Sequence, residues 1–308
     1  MRASNKIGRI IIAGFISVLS ATTFLSAEDL KFQYVTSFYS DAQEVKLKQP
    51  EGVACRKNNF LIVADTGNAR LVGYSFKDSP AESTAREIRV PQLKYPRQIE
   101  MNSKSEIFVL DGRLRRIIRI TADGKFNGYI DTQNTPAPSA HAPISFHIDK
   151  DDSLYILDIF SEQVIGLGPR GEIRKRITFP KKYGFFTDLT IDNGGRVLLL
   201  DSVDARVYAT TANSARFSAI TEDLKAYMRF PAALTTDRQG RIYLVDRNGG
   251  KIIILARDGS LLGRLSARGW KEGLLSYPSQ MCINDRGEIF VADTNNNRVQ
   301  VFVEIESK

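Results

Sequence analysis

The segment Glu288-Ile-Phe-Val-Ala-Asp293-Thr-Asn-Asn-Asn-Arg298-Val-Gln-Val-Phe302 holds two apolar runs separated by an aspartate and a cluster of turn formers. Runs of β-branched and aromatic residues broken in this way read as the two arms of an antiparallel hairpin. Upstream, Tyr277-Pro-Ser-Gln-Met-Cys-Ile and the turn Asn284-Asp-Arg-Gly place a third strand before them. The pattern recurs along the chain. Asp293 has counterparts at Asp65, Asp111, Asp158, Asp201 and Asp246, in gaps of 46, 47, 43, 45 and 47 residues. Fifteen residues before each stands Pro50, Pro96, Pro143, Phe186, Pro231 or Pro278; five after stands Arg70, Arg116, Gln163, Arg206, Lys251 or Arg298. Short strands repeating at such a period, in units unable to bury their own apolar face, mark a propeller or a solenoid.

The fifth unit supplies a fourth strand. After Lys251-Ile-Ile-Ile-Leu255, a turn at Asp258-Gly259 leads into Ser260-Leu-Leu-Gly-Arg-Leu265. Four antiparallel strands per unit make a propeller blade. The expected fold is an all-β, six-bladed β-propeller of four-stranded antiparallel blades. The sixth unit runs out after three strands near Ile305, while Lys31-Phe-Gln-Tyr-Val-Thr-Ser-Phe38 is an orphan of strand character. That N-terminal strand should complete the sixth blade, closing the ring and removing its exposed edge.

Pro50-Glu-Gly-Val-Ala, Leu61-Ile-Val-Ala-Asp-Thr-Gly-Asn-Ala-Arg70 and Phe290-Val-Ala-Asp-Thr-Asn-Asn-Asn-Arg-Val-Gln-Val-Phe302 resemble the NHL repeat. The resemblance spans residues 50–305, is close in the first and last units, and is degenerate in the third, Ile156-Leu-Asp-Ile-Phe-Ser-Glu-Gln163. A six-bladed propeller is what it implies.

Before the repeats, Arg2, Lys6 and Arg9 precede an uncharged stretch, Ile10 to Ala27, that ends Leu25-Ser-Ala before Glu28. This order reads as a secretory signal peptide over residues 1–27, with cleavage near Ala27. The competing reading is a retained anchor, weakened by the Ser and Thr content of the stretch. Residues 28–308 are then one domain, expected to be monomeric and periplasmic or secreted. The formal net charge is +8, of which the three leader cations carry three, leaving +5. Export removes nucleic acid and, after cleavage, the membrane as partners; it leaves a protein or peptide, and the charge favours an acidic one.

Only Cys55 and Cys282 are present. They stand five and four residues after their prolines, in opposite registers, and facing sheets pack at about 10 Å against the roughly 7 Å a disulfide allows. Two free thiols are expected. A surface loop is expected over Asp131 to Ala142, which holds one of the two histidines, His141.

Alternation divides each first strand into two sets. Residues three and five after the proline, such as Ile99 and Met101, belong to the core. Those two and four after it are small or polar: Gly52/Ala54, Gln98/Glu100, Ser145/His147, Asp188/Thr190, Ala233/Thr235 and Gln280/Cys282. This second set should line the central channel, either hydrogen-bonding neighbouring blades or forming a ligand site. Each repeated Asp should accept backbone N–H groups of the turn after it and pair with the basic residue five positions on. Arg70, Arg116, Arg206, Lys251 and Arg298, with Arg97, should form a positive rim around the channel mouth on the proline side. There Gln98, Glu100, His147, Asp188 and Gln280 are expected to converge as a binding site. Trp270 is a candidate contact anchor, or a residue that packs down a rim loop.

No Gly-x-Ser-x-Gly, phosphate loop, Cys-x-x-Cys-His or other cofactor or metal motif is present. Some relatives of this architecture, the peptidyl-hydroxyglycine amidating lyases, hold zinc through several histidines. Here only His147, aided by Glu100 or Asp188, stands in the channel set, short of the three protein ligands usual for catalytic zinc. The leading expectation is a non-enzymatic scaffold without cofactor; the alternative is a metal-dependent lyase or hydrolase.

Overall fold

The computed structural model describes residues 30–55, 59–130, 142–211 and 214–305. The leader, the 131–141 segment and His141 lie outside the described residues. Six four-stranded antiparallel sheets form blades 1 to 6, each built from four strands consecutive in the chain except the last. Blade 6 takes Pro278–Ile283, Ile289–Asp293 and Arg298–Ile305, then adds Lys31–Phe38 at its outer edge. That closing strand runs in register from Lys31 opposite Ile305 to Phe38 opposite Val299, with a bulge near Val35. The orphan strand thus does what its sequence implied.

In blades 2 to 6 the innermost strand begins at the repeat's Pro or Phe, opposite the repeat's Asp, and a register shift follows at once. Proline is tolerated at the first position of a strand because no ladder bond to its missing N–H is required there. The bulge swings the next residues toward the ring axis. The chain then runs to the far side, returns, and leaves the Asp on the same rim as the proline. We call this rim the proline face and the other the hairpin face.

The apolar core is divided among the six interfaces between blades. Phe38, Val53, Val63, Phe290 and Val301 fill the seam between blades 6 and 1, and Ile99, Val109, Ile118 and Leu71 that between 1 and 2. Blades therefore have no core of their own and stand only by stacking.

The six repeated aspartates are all wholly buried. In Asp111, Oδ1 accepts the Arg113 and Leu114 amides of the following turn, and Oδ2 the Lys94 and Tyr95 amides of the loop before the blade. Asp201 joins the same two loops, its Oδ1 accepting the Phe185, Val203 and Asp204 amides and its Oδ2 that of Gly184. Each Asp staples two loops where one was expected. Pairing with the basic residue five positions on occurs only in blades 1 and 6 among the described residues: Arg70 Nε–Asp65 at 2.7 Å and Arg298 Nε–Asp293 at 2.8 Å.

The cysteines correct the sequence expectation. Cys55 and Cys282 form a disulfide between blades 1 and 6, with Cα atoms 5.9 Å apart. Two assumptions fail. Innermost strands converge on the axis, so the spacing of flat facing sheets does not apply. Cys55 also lies one residue beyond the strand Gly52–Ala54, where strand alternation no longer sets its direction.

Candidate functional site

The channel residues fall into two levels with different work. Two positions after the proline, the side chains cross the axis and bond to other blades. Gln280 Oε1 accepts Val53 N at 3.1 Å and Ile99 N at 3.4 Å, while its Nε2 donates to Ile99 O. Gly52 makes this reach possible, since a Cβ there would stand 3.2 Å from the Gln280 Oε1 and 3.1 Å from Arg97 O. Gln98 donates to Phe146 O at 2.9 Å and accepts Phe146 N at 3.2 Å. Ser145 Oγ donates to Asp188, whose other oxygen accepts Leu234 N at 2.8 Å. These bonds stitch the blades and plug the channel, the neighbour-bonding alternative of the two sequence readings. Burial, against which the hydroxyl and amide bonds work, pushes the Asp188 carboxyl up to about 6.

Above the plug, on the proline face, only about 30 Å³ is open, between Arg97, Arg247, Glu51 and Ser279. Below it, a funnel of about 580 Å³ opens to the hairpin face. Glu100, His147, Thr190, Thr235 and Cys282, all four positions after the proline or its Phe186 equivalent, line that funnel. The expected convergence at the proline mouth is thereby corrected. Glu100 and His147 lie on the far side of the plug from Arg97, because one strand step of two residues carries them past it. His147 Nδ1 is 3.3 Å from Glu100 Oε1, but Asp188 is held in the plug. Among the described residues no three His, Cys, Asp or Glu are placed to hold a metal ion.

The rim arginines divide. Arg70 is 1% exposed, bonded to Asp65, Asp41 and Val45 O, and Arg298 is buried against Asp293, Lys271 O and Leu274 O. Both serve as internal ties that hold long loops, so neither contributes to an exposed positive rim. Arg116 is exposed and lies 4.0 Å over the Tyr129 ring; Arg206 and Lys251 are half-buried. Arg97 is half-buried beside the axis. Its counterpart across the mouth, Arg247, stands 5.3 Å over the Tyr277 ring, a position the sequence reading missed.

A larger omission concerns hydrophobic residues. Of the twelve exposed large hydrophobics among the described residues, nine lie in loops of the proline face; Phe126, Leu261 and Ile305 are the exceptions. Trp270 is 71% exposed and Phe160 66%, so Trp270 packs nothing down. Tyr95, Phe185 and Tyr277 each immediately precede the repeat's Pro or Phe, and this fixed phase was available in the sequence. Exposed cations such as Lys48, Lys94, Arg113, Lys181, Arg229 and Lys271 are interleaved with them.

A second Asx ring also went unread. Asn102, Asp149, Asp192, Asp237 and Asn284 each stand nine residues before the repeated Asp and cap the hairpin that follows the innermost strand. Asn284 Oδ1, for example, accepts Arg286 N and Glu288 N at 3.0 Å each.

These features define an NHL-type six-bladed β-propeller. The family model for the NHL repeat matches residues 275–302. Human NHL repeat-containing protein 3 is 33% identical over 75 residues, which are 23% of this chain and 22% of that protein. The match spans about a fifth of that relative's length, 22%. Among solved structures, a streptogramin B lyase superposes with a TM-score of 0.62 at 10% identity, over 91% of this chain and 100% of that one. A gluconolactonase from Xanthomonas campestris gives 0.65 at 13% identity, over 91% of each chain. An auxiliary nutrient binding protein from Bacteroides ovatus gives 0.65 at 12%, over 91% of this chain and 78% of that one. At such identities the likeness is one of fold, and folds of this kind carry unrelated functions.

Proposed function

We propose that the protein is an exported, non-enzymatic scaffold that docks an acidic protein partner on its proline face. The sidedness of the exposed large hydrophobics carries this reading. Exposed aromatic side chains and arginines are enriched at contact surfaces, and this face carries Tyr95, Phe160, Phe185, Trp270 and Tyr277 with Arg113 and Arg229. The plugged mouth favours a protein over a small molecule, because 30 Å³ admits little more than one polar group. Among the described residues, cations outnumber acids in the surrounding loops, whose exposed acids include Glu44, Glu162, Glu222 and Glu272. An acidic partner is the complement of that field. Export is supported by the leader-like residues 1–27 and by the disulfide, a bond that persists in oxidising compartments.

The test is site-specific photocrosslinking in the exported fraction. A photoreactive residue in place of Phe160 or Tyr277 should capture one protein, and one in place of Lys125 or Asp258 on the hairpin face should capture none. Equal capture from both faces would sink the assignment. The metal-dependent lyase or hydrolase alternative has only the His147–Glu100 pair to build on. A metal-dependent turnover lost in His147→Ala would promote it.

A further inference from the structure

We propose that the blind funnel on the hairpin face binds a small organic cation, a primary alkylammonium. Its charged end rests against Glu100, and its hydrocarbon lies along the wall made by Met281, Ile283 and the Cys55–Cys282 disulfide. The site is separate in residues and in face from the docking surface, so it stands whether or not that surface has a partner.

Shape comes first. The plug of Gln98, Ser145, Asp188 and Gln280 turns a propeller channel into a closed-ended cavity of about 580 Å³. That volume falls within the range of small-molecule sites, roughly 300–1,000 Å³. A through-pore would give a ligand no floor to rest on.

Charge selects the class. Among the described residues the wall carries Glu100, Asp149, Asp151 and Asp192 against Lys150 and His147. Several of these acids are occupied. Asp192 holds Arg196 Nε at 2.7 Å and faces Arg257 at 3.8 Å, and Asp149 accepts the Asp151 and Ser153 amides. Glu100 is different. It is three-quarters buried, and among the described residues its one hydrogen-bonding or ion-pairing partner is His147, at 3.3 Å. A carboxylate drawn out of water with a single long contact is stabilised by an arriving cation and opposed by an arriving anion. Among the described residues no third His, Cys, Asp or Glu joins the pair to make the three protein ligands usual for such a metal ion.

The remaining wall fits the rest of such a ligand. Met101, Ile148, Met281 and Ile283 give an apolar side, and thioethers adapt to flexible chains. Tyr155 is the cross-strand neighbour of His147 and lines the same wall. An aromatic ring in the wall is a favourable neighbour for an ammonium group.

Calorimetric titration of the full chain with 1,4-diaminobutane and with butylamine is the test, with 1-butanol and butyrate as neutral and anionic counterparts. Both amines should bind saturably at one site, and the counterparts should not. Glu100→Gln should weaken binding about tenfold or more. Asp151→Asn, at an exposed position, should weaken it severalfold with an unchanged melting temperature, which keeps the test valid should the buried substitution unfold the protein. Trp270→Ala with Tyr277→Ala on the proline face should leave amine binding unchanged. A second readout is independent of heat: a cation beside Glu100 should lower the pH at which Asp188 titrates. The proposal is overturned by absence of saturable binding of either amine, by equal binding of 1-butanol or butyrate, or by full affinity in both carboxylate variants.

Discussion

Asp188 shows how one residue trades solvation for ring closure. Its carboxyl sits in the plug, and burial raises it from 3.8 to about 6 despite the bonds from Ser145 and Leu234 N. The folded protein therefore takes up this proton at a higher pH than the unfolded chain does. Stability from this group is fully present below about pH 4 and is lost as pH rises through 6. The loss is about 3 kcal/mol by pH 7, because each tenfold difference in proton affinity between the folded and unfolded chain is worth roughly 1.36 kcal/mol. Asparagine keeps an acceptor for Leu234 N and carries no charge. Asp188→Asn should thus gain on the wild type by about that amount between pH 4 and pH 7, read from urea midpoints at several pH values. Parallel stability curves for the two proteins would contradict the assignment. The alternation of small and polar residues that marks this strand was legible in the sequence. The level at which each side chain crosses the axis was not, because a two-residue step decides whether a group joins the plug or the funnel.

At the scale of the element, the turn between the second and third strands ends in the same backbone conformation in all six blades, and its neighbours differ. The residue four after each Asp is left-handed, with φ of 51° at Ala69, 54° at Arg115, 52° at Glu162, 49° at Ala205, 63° at Gly250 and 54° at Asn297. A left-handed conformation costs an L-residue about 1–2 kcal/mol, and five blades bear it. Blade 5 cannot take a side chain at all. A Cβ at Gly250 would lie 2.6 Å from Leu275 O and 2.7 Å from the Arg268 Cα, because the Trp270 loop packs on this turn. Gly250→Ala should therefore cost more than about 2 kcal/mol in thermal unfolding, although alanine occupies the same position in blades 1 and 4. The closing strand poses a related test. Deleting Lys31 to Phe38 removes the Phe38–Tyr74 ring contact at 4.5 Å and bares the edge at Arg298–Ile305. The truncated chain should melt lower and elute as oligomers in gel filtration, since an unpaired edge templates further pairing. The period of the repeat and the three-strand sixth unit made the fold and its closure readable. The loops were not readable in that way: Arg70 and Arg298 looked like rim cations because nothing local announces that Asp41 or the Lys271–Leu274 segment will fold over them.

The whole molecule is a ring with one seam and two unlike faces. The seam between blades 6 and 1 is held three times: by the outer strand, by Gln280 and Ser279 bonding across to Val53 N and Glu51 O, and by Cys55–Cys282. A bond across 227 residues of chain removes much freedom from the unfolded state, so Cys55→Ser with Cys282→Ser should lower stability by about 2–5 kcal/mol. Mass spectrometry of the unreduced wild type should show one oxidised pair. The two faces then make opposite demands on charge. Arg97 and Arg247 frame the proline mouth, and among the described residues neither has a carboxylate within salt-bridge distance. If an acidic partner docks there, Arg97→Glu with Arg247→Glu should slow association about tenfold or more at low salt and flatten its dependence on ionic strength, because charges of this kind act chiefly on encounter. Asp123→Lys with Asp258→Lys, in exposed turns of the hairpin face, should leave the association rate as it is. The converse outcome, a rate sensitive to the hairpin turns and indifferent to the two arginines, would move the docking surface to the other side of the ring.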